Sequence, residues 1–456
     1  MKQVDFGEGS IPSKITQTAI PMLVAQLLTL LYSIVDRIYL GRIPGEGTAA
    51  LGGIGLCFPV ILIITAFTNM YGLGGSPLFA IARGTKEKEK AGDILNTSFR
   101  LLLLTAILLL ILGEVFARPV LTAFGARGEA IRYSLPYLRV YLLGTPFAML
   151  ATGLNPSINA EGFPKIGMTT VAIGAISNLI LDPVFIYGFK LGVVGAALAT
   201  ILSQAFSALL ALRFLTGKNT KYRLQNPFSS LTAPGRLPYA GNIISLGTAP
   251  FIMQFTNSLV QIACNNTLME YGGAINVSIM TIVSSVRQIL DVPISSITDG
   301  SAPIVSYNYG ARKFSRVWEA IRIMTILAVS YTLIIQLLIE FRPGMFIAIF
   351  SKDAQIMELA IPDLHLYFFA FIFQALQYSG QTVFKALNKK NHAIFFSLFR
   401  KVVMVVPLTL LLPRFFGLGV KGVFLAEPIS NFIGGSACYL TMLYTLRKET
   451  RESKES

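Results

Sequence analysis

Two carboxylates interrupt apolar stretches of this chain, where an ionisable side chain is costly and is therefore a candidate for function. Asp36 lies in the first apolar stretch and Asp182 in the fifth. Asn178 precedes Asp182 by four residues, on the same face of a helix, and Thr200 lies in the sixth stretch. Two carboxylates, an amide and a hydroxyl are hard oxygen ligands that suit a small cation, and neighbouring carboxylates can instead share a proton.

If the stretches cross a membrane as helices, these side chains lie at a similar depth. At 1.5 Å per residue, Asp36, Asp182 and Thr200 fall within roughly 6–12 Å of the same membrane boundary. We therefore predict a cation- or proton-binding site formed by Asp36, Asn178, Asp182 and Thr200, which are the metal ligands if the ion is Na⁺. The alternative is that these groups only hydrogen-bond neighbouring helices, and it is weaker for the carboxylates because they are costly to bury.

Further polar residues at helical spacing are predicted to line a substrate pathway. On the first stretch they share the face of Asp36, and on the seventh and eighth they comprise four amides and one charged pair. They are Gln26, Thr29, Ser33, Gln254, Asn257, Gln261, Asn265, Arg287 and Asp291. Arg287 and Asp291 are four residues apart, and mutual neutralisation is the favoured alternative to a role in substrate binding.

The composition indicates that these residues are held in a membrane. Of 456 residues, 53% are hydrophobic and 13% are charged, whereas about a quarter are charged in soluble domains. Helices are favoured because runs such as 101–112 lack the alternation of a transmembrane barrel. With about 20 apolar residues per span, spans are predicted near 15–40, 50–82, 95–117, 133–157, 166–188, 192–214, 243–269, 274–308, 317–341, 357–386, 392–413 and 419–446.

The chain also repeats itself. Gly74, Pro77 and Gly84 return as Gly300, Pro303 and Gly310, and the sequence LGVVG at 191–195 returns as LGVKG at 418–422. We predict an all-α integral membrane protein with twelve transmembrane helices in two pseudo-symmetric six-helix lobes and a pathway between the lobes. The predicted segments are an N-terminal lobe (1–215), a cytoplasmic linker (216–239), a C-terminal lobe (240–446) and a charged cytoplasmic tail (447–456).

The two halves differ in their intramembrane polar groups. Asn265 takes the position that matches Asp36, and Glu427 takes the position that matches Thr200. From this difference we infer that ion chemistry belongs to the first lobe and that the second lobe mainly supplies hydrogen bonds.

The net charge of +15 is a topology signal rather than a sign of nucleic-acid binding. Lys and Arg concentrate in the loops on one side of the predicted membrane, which places both termini in the cytoplasm of a multi-pass cell-membrane protein. The cysteines (Cys57, Cys264 and Cys438) lie in apolar stretches and are interpreted as core residues. With only two histidines, no catalytic or metal-ligand pattern supports the alternative of a membrane-embedded enzyme.

The chain resembles the multidrug and toxic compound extrusion (MATE) family over nearly its whole length. The resemblance rests on five motifs in order, which are VDRIYLG at 35–41, NAEGFPK at 159–165, NLILDP at 178–183, GVVGAA at 192–197 and the segment 300–310. The general character is that of the bacterial branch that exports cationic drugs.

This resemblance implies a secondary active antiporter that exchanges drug-like, cationic compounds for Na⁺ or H⁺ by alternating access. The ion site of the family falls on Asp36, Asn178, Asp182 and Thr200. The resemblance also implies a chain that works as a monomer among membrane lipids, with no cofactor beyond the coupling ion. The alternative is a lipid-linked oligosaccharide flippase, or another exporter of the same superfamily.

Two positions depart from the family pattern. Arg37 stands where many relatives have a small polar residue, and it either points outward or pairs with Asp36, which would weaken proton coupling. Asn265 stands where some relatives have an acidic residue in the second lobe. The substrate and the coupling ion stay open at this point.

Overall fold

The computed structural model describes residues 3–43, 47–124, 126–218, 220–224, 237–350, 354–415 and 417–455. All regular structure among these residues is helical. Most of the predicted linker 216–239 lies outside the described residues. The tail, predicted as 447–456, continues the last helix as far as Glu455.

The helices of the first half are α1 (Ile11–Gly41), α2 (Gly47–Gly55), α3 (Phe58–Gly84), α4 (Lys88–Ala123), α5 (Glu129–Leu143), α6 (Thr145–Gly153), α7 (Asn155–Glu161), α8 (Pro164–Pro183) and α9 (Gly192–Thr216). Those of the second half are α10 (Ala240–Gly273), α11 (Ile275–Gly310), α12 (Phe314–Phe341), α13 (Pro343–Ile347), α14 (Ala354–Phe368), α15 (Phe371–Ala386), α16 (Lys390–Leu398), α17 (Val406–Phe415), α18 (Val420–Ser430) and α19 (Ser436–Glu455). Three π-helical turns follow α8, α16 and α18, at Val184–Gly188, Phe399–Val405 and Asn431–Gly435.

Nine helices in the described part of the chain are long and apolar enough to cross a membrane, and the pair α14 and α15, bent by 45°, counts as a tenth. The two other predicted spans, 133–157 and 419–446, consist of consecutive shorter helices. The first is broken at Gly144 between α5 and α6, and the second contains the π-turn between α18 and α19. Hydropathy predicts one span in each of these segments, and the interruptions divide each span into shorter helices.

The outer surface of α4 shows why the chain needs a lipid environment. Leu104, Leu108, Ile111 and Val115 follow helical spacing, and they are 47, 54, 55 and 65% exposed. An apolar stripe of this kind is unfavourable in water and suits a bilayer. The chain is therefore a multi-pass membrane protein.

The backbone repeats in the same register as the sequence. Left-handed conformations occur at Lys86 and Arg312, which are 226 residues apart, and at Gly192 and Gly419, which are 227 residues apart. Gly162 and Asn388 form another such pair. Because this conformation is rare for residues other than glycine, its recurrence at matching positions supports a duplicated fold.

The described residues group into two compact units, and the division differs from the predicted lobes in two segments. Unit 1 contains residues 1–5 and 21–247, and unit 2 contains residues 6–20 and 248–456. The start of α1 therefore belongs to unit 2, and the start of α10 belongs to unit 1.

Paired glycines allow this grouping. A Cβ on Gly74 would meet the backbone of Gly247 at 2.9 Å in unit 1. A Cβ on Gly300 would meet the backbone of Ala19 at 2.8 Å in unit 2. The repeated glycine thus permits the close approach of two helices in each unit.

Alanine substitutions should separate this packing role from helix propensity. Gly74→Ala and Gly300→Ala should each lower the free energy of unfolding by about 1–3 kcal/mol, because a backbone must move to admit the methyl group. Gly92→Ala on α4 is the control, since nothing lies within 4 Å of its Cβ position, and it should be neutral or gain up to about 1 kcal/mol. The measurement is thermal unfolding in detergent, and equal effects at the three positions would contradict the packing role.

Candidate functional site

Four predicted ion-site residues come together within unit 1. Asp36 lies on α1, Asn178 and Asp182 lie on α8, and Thr200 lies on α9. Asn178 Nδ2 donates to Asp182 Oδ1 at 3.2 Å and to Thr200 Oγ1 at 3.5 Å. The side chains of Asp36 and Asp182 interact with each other. The role of this group in ion binding stays a prediction.

Local breaks in the helices position these side chains. Pro183 ends α8 directly after Asp182, and the chain continues as a π-turn, an irregularity that often accompanies functional sites. Gly195 allows α9 to approach this turn, since a Cβ there would meet the backbone of Phe185 at 2.7 Å. Tyr187, also in the turn, donates its hydroxyl to the carbonyl of Tyr39 on α1 at 2.5 Å.

The buried oxygen atoms of these side chains favour the binding of a positive charge. Asp182 is fully buried, Asn178 is 3% exposed, and Asp36 is half-buried. Asp36 Oδ1, Asn178 Oδ1 and Asp182 Oδ2 are buried and receive no hydrogen bond from any donor in the described part of the chain. A proton shared by the two carboxyls, or a Na⁺ ion held by the orphaned oxygens, would satisfy them.

The site is built from two acids, an amide and a hydroxyl rather than from transition-metal ligands. Within the described ranges, no group of three His, Cys, Asp or Glu side chains could hold a metal ion. Arg37 is exposed and forms no ion pair with Asp36 among the described residues, but its positive charge acts electrostatically on that carboxyl.

A row of tyrosines beside the site was not predicted from the sequence. Tyr133, Tyr137 and Tyr141 lie on one face of α5 and are 8, 5 and 8% exposed. Tyr137 interacts electrostatically with both Asp36 and Asp182. The spacing of four residues between the tyrosines was the available signal for this row.

The pathway residues predicted on α1 have local partners. The Thr29 hydroxyl donates to the Ala25 carbonyl at 2.9 Å, and the Ser33 hydroxyl donates to the Thr29 carbonyl at 2.8 Å. Thr29 is exposed, whereas Ser33 and Gln26 are half-buried. The hydroxyl groups of Thr29 and Ser33 still have lone pairs that can accept a hydrogen bond from a substrate.

The pathway residues predicted on α10 lie in unit 2. Asn257 and Gln261 are exposed, and Gln254 and Asn265 are half-buried. Gln261 Nε2 donates to Asn265 Oδ1 at 3.0 Å. The part of these amides in substrate binding stays a prediction.

Arg287 and Asp291 belong to a larger buried network in unit 2. The centre of the network is Glu427, which is 4% exposed. Glu427 Oε1 lies 2.5 Å from Arg287 Nη1, 2.7 Å from Arg400 Nη1 and 3.2 Å from Lys401 Nζ. Arg287 is therefore closer to Glu427 than to Asp291, where its Nε lies 3.5 Å from Oδ2.

Neutral groups complete the network. Arg287 donates to the Tyr367 hydroxyl at 2.7 Å, and Gln374 Nε2 donates to Asp291 Oδ1 at 2.5 Å. Arg400 also donates to Asn431 Oδ1 at 2.6 Å. Three cations and two carboxylates are thus paired, and the charges of this network are largely satisfied by the protein itself.

Arg400 and Lys401 were missed by the sequence analysis. Both lie in the predicted span 392–413, so the criterion that selected Asp36, an ionisable group inside an apolar stretch, also applied to them. Arg287, in the eighth span, was the only basic residue of the second half that the sequence analysis named.

The sequence of this chain matches a known protein family. The family model MatE matches residues 21–184 and again residues 250–411, so that most of the chain is covered by two copies of one pattern. This chain belongs to the MATE family. The resemblance inferred from the motifs is confirmed, and the family is one of transporters rather than enzymes.

Relatives of this MATE transporter match it from end to end. It is 24% identical to the multidrug export protein MepA of Staphylococcus haemolyticus, over 99% of this chain and 97% of that protein. It is 25% identical to MepA of Staphylococcus aureus strain MRSA252, over 94% of this chain and 92% of that protein.

Solved structures confirm the predicted fold. An outward-facing multidrug resistance MATE transporter of the MOP superfamily superposes with a TM-score of 0.89, at 24% identity over 98% of both chains. A MATE protein in a bent conformation superposes with a TM-score of 0.91, at 23% identity over all of both chains. The all-helical, two-lobed MATE fold is therefore the fold of this chain.

A further buried acid of this MATE chain lies in the NAEGFPK motif. Glu161 is fully buried, and its carboxylate accepts the Thr220 hydroxyl at 2.6 Å and the Lys221 backbone N–H at 2.9 Å. Burial raises the pKa of Glu161 above its ordinary value of 4.5, and these hydrogen bonds offset only part of the rise. The motif thus fastens the start of the linker to the end of α7.

Neutralising an acid should have opposite effects in the two units. Glu427→Gln should lower the free energy of unfolding by about 3–5 kcal/mol, because three buried cations lose their common partner. Asp36→Asn should leave stability unchanged or raise it, because it removes one of two adjacent carboxyls and supplies an amide donor to Asp182. Thermal unfolding of both variants in detergent tests this contrast, and a larger loss for Asp36→Asn would contradict it.

The stability of the protein should carry a pH signature from Glu161. Because its pKa is higher in the folded than in the unfolded chain, the folded state binds the proton more tightly, and stability falls as the pH rises from 4.5 through the raised pKa. The melting temperature of the wild type should therefore fall relative to Glu161→Gln over this interval.

The matched control for this titration is Glu87→Gln. Hydrogen bonds from Thr85 and Lys90 lower the pKa of Glu87, so this variant should show no such gain over the wild type as the pH rises. A constant difference between Glu161→Gln and the wild type at all pH values would contradict the assignment.

Proposed function

We propose that this MATE transporter is a secondary active multidrug exporter that exchanges organic, cationic compounds for Na⁺ or H⁺. The observation that carries the proposal is the pair of neighbouring carboxyls, Asp36 and Asp182, with Asn178 and Thr200 beside them. The names of the MepA relatives, multidrug export proteins, support the class of substrate.

The coupling ion acts at this carboxyl pair. Asp36 and Asp182 would each offer an oxygen to Na⁺, with Asn178 Oδ1 and Thr200 Oγ1 as further ligands. With H⁺ as the coupling ion, one carboxyl donates to the other, and the pair carries a single negative charge. In both cases the ion removes one negative charge from a buried site, which makes the site less attractive to a second cation.

Export follows from this change of charge. Without the ion, the negative site favours an organic cation, whose aromatic parts could contact Tyr137 and its neighbours. Ion binding from outside favours a conformation of lower drug affinity, so that the drug leaves outward. The coupling requires that ion and drug prefer opposite states of the protein, because a ligand shifts an equilibrium only through its differential affinity.

The alternative of a lipid-linked oligosaccharide flippase needs free positive charge for a pyrophosphate. The buried basic residues Arg287, Arg400 and Lys401 are the available candidates, but Glu427 and Asp291 already pair with them. This pairing favours drug export over the flippase.

The remaining expectations are parts of the same proposal. Both termini lie in the cytoplasm, following the distribution of Lys and Arg. The chain works as a monomer in contact with membrane lipids, has no nucleic-acid partner and needs no cofactor beyond the coupling ion. The amides of α10, together with Gln26, Thr29 and Ser33, supply hydrogen bonds along the substrate pathway.

Transport by carboxyl variants tests the proposal. Asp36→Asn and Asp182→Asn should each reduce ion-driven efflux of a cationic dye from proteoliposomes by at least about tenfold, since each variant loses the charge that ion and drug exchange. Separate Na⁺ and H⁺ gradients identify the coupling ion. Wild-type efflux by both variants would refute the carboxyl pair as the coupling site.

A matched control is Asp299→Asn on α11. Asp299 forms an ion pair with Lys385 at 3.9 Å in unit 2, outside the carboxyl pair and the Glu427 network. The Asp299→Asn variant should retain ion-driven efflux. The melting temperature of each variant distinguishes a loss of coupling from a loss of folded protein.

A further inference from the structure

A groove on unit 2 lies between α12 and α19, which both pack against α15. Its volume is about 640 Å³, within the range of about 300–1,000 Å³ typical of sites for small molecules. Trp318, Arg322, Thr325 and Ile326 line it from α12, and Tyr439 and Leu443 line it from α19. None of these residues belongs to the carboxyl pair or to the Glu427 network.

The groove contains a polar group without a partner. Thr325 is 8% exposed, and its Oγ1 is buried with no hydrogen bond among the described residues. On the same helix, the buried Thr332 hydroxyl does have a partner, because it donates to the Ala328 carbonyl one turn earlier at 3.0 Å. A buried hydroxyl left unpaired is costly, and the Thr325 hydroxyl therefore points to a ligand that accepts a hydrogen bond.

A free cation lies one turn from this hydroxyl. Arg322 is exposed, and no ion pair or hydrogen bond joins it to another residue in the described part of the chain. Residues 323–339 carry no charge, and 17 residues of helix span about 26 Å, close to the thickness of the hydrocarbon core. Arg322 therefore lies at the level of the lipid headgroups.

The groove changes in polarity along its length. The Trp318 indole N–H donates to the Thr450 hydroxyl at 3.1 Å, which sets the two antiparallel helices in register. By the rise of a helix, Arg322 then lies near the level of Arg447, and Thr325 lies near the level of Leu443. The charged groups of Arg322 and Glu319 at one end give way to the Thr325 hydroxyl and then to Ile326 and Tyr439.

This order matches that of a phospholipid. We propose that the groove binds one anionic glycerophospholipid, with its phosphate on Arg322, an ester carbonyl on the Thr325 hydroxyl and an acyl chain along Ile326 and Tyr439. Glu319 also lines the groove and is exposed. Its carboxylate favours a headgroup with hydroxyl donors, such as that of phosphatidylglycerol.

The single tryptophan of the chain provides the test, because Trp318 lies in the groove. The full protein is reconstituted in phosphatidylcholine, and a small fraction of brominated phosphatidylglycerol or brominated phosphatidylcholine is added to quench its fluorescence. The brominated phosphatidylglycerol should quench Trp318 at a several-fold lower mole fraction, because one cation contributes about 1 kcal/mol to binding of an anionic lipid. Equal quenching by the two lipids would overturn the proposal.

Three variants sharpen the measurement. Arg322→Gln should abolish the preference for phosphatidylglycerol, and Thr325→Val should reduce it while keeping the shape of the side chain. Arg342→Gln, at the other end of α12, removes the same charge and should leave the preference unchanged. An unchanged preference in Arg322→Gln and Thr325→Val, or a loss in Arg342→Gln, would overturn the proposal.

The test also separates a lipid from a second copy of the chain. If neither brominated lipid quenches Trp318 and quenching appears only when the protein is diluted into more lipid, a second copy covers the groove and the lipid assignment is wrong.

Discussion

Two carboxyl groups held side by side in a buried setting cannot both carry a bare negative charge, because their repulsion is poorly screened there. Asp36 and Asp182 are in this situation, and the surrounding structure keeps them in it. Pro183 and the π-turn end α8 beside the pair, Gly195 lets α9 approach, and Tyr187 ties the turn to α1. The fold therefore holds two carboxyl groups together in a setting that favours the binding of one positive charge.

The duplicated half has the opposite electrostatic design. The backbone conformations repeat at matching positions, yet Thr200 is replaced by Glu427, and three cations surround that carboxylate. A network that pairs its own charges holds helices together and has no need of a bound ion. A network with unpaired groups can bind one. In the function that we propose, the same backbone pattern forms an exchange site in one unit and a charge-paired network in the other, and the two differ in their side chains.

The sequence predicted the fold, and it selected side chains that lie together in unit 1, for identifiable reasons. Hydropathy and the 226–229-residue repeat fixed the spans, and the i, i+4 spacing of Asn178 and Asp182 placed them on one helix face. Contacts that depend on packing were not accessible: the sequence does not reveal that Arg287 prefers Glu427 to its helix neighbour Asp291, since the two acids are 136 residues apart. The grouping of residues 6–20 with unit 2 was hidden for the same reason.

That grouping also bears on how the protein is made. The start of α1 packs against Gly300, which leaves the ribosome about 280 residues after Ala19. At a synthesis rate of about 5–20 residues per second, roughly 15–60 s pass between the synthesis of Ala19 and that of Gly300. During that interval its leading end is inserted without its final support, and a chain interrupted midway would lack it altogether. Biosynthesis of the second half therefore completes the first helix, although that helix was the earliest to be translated.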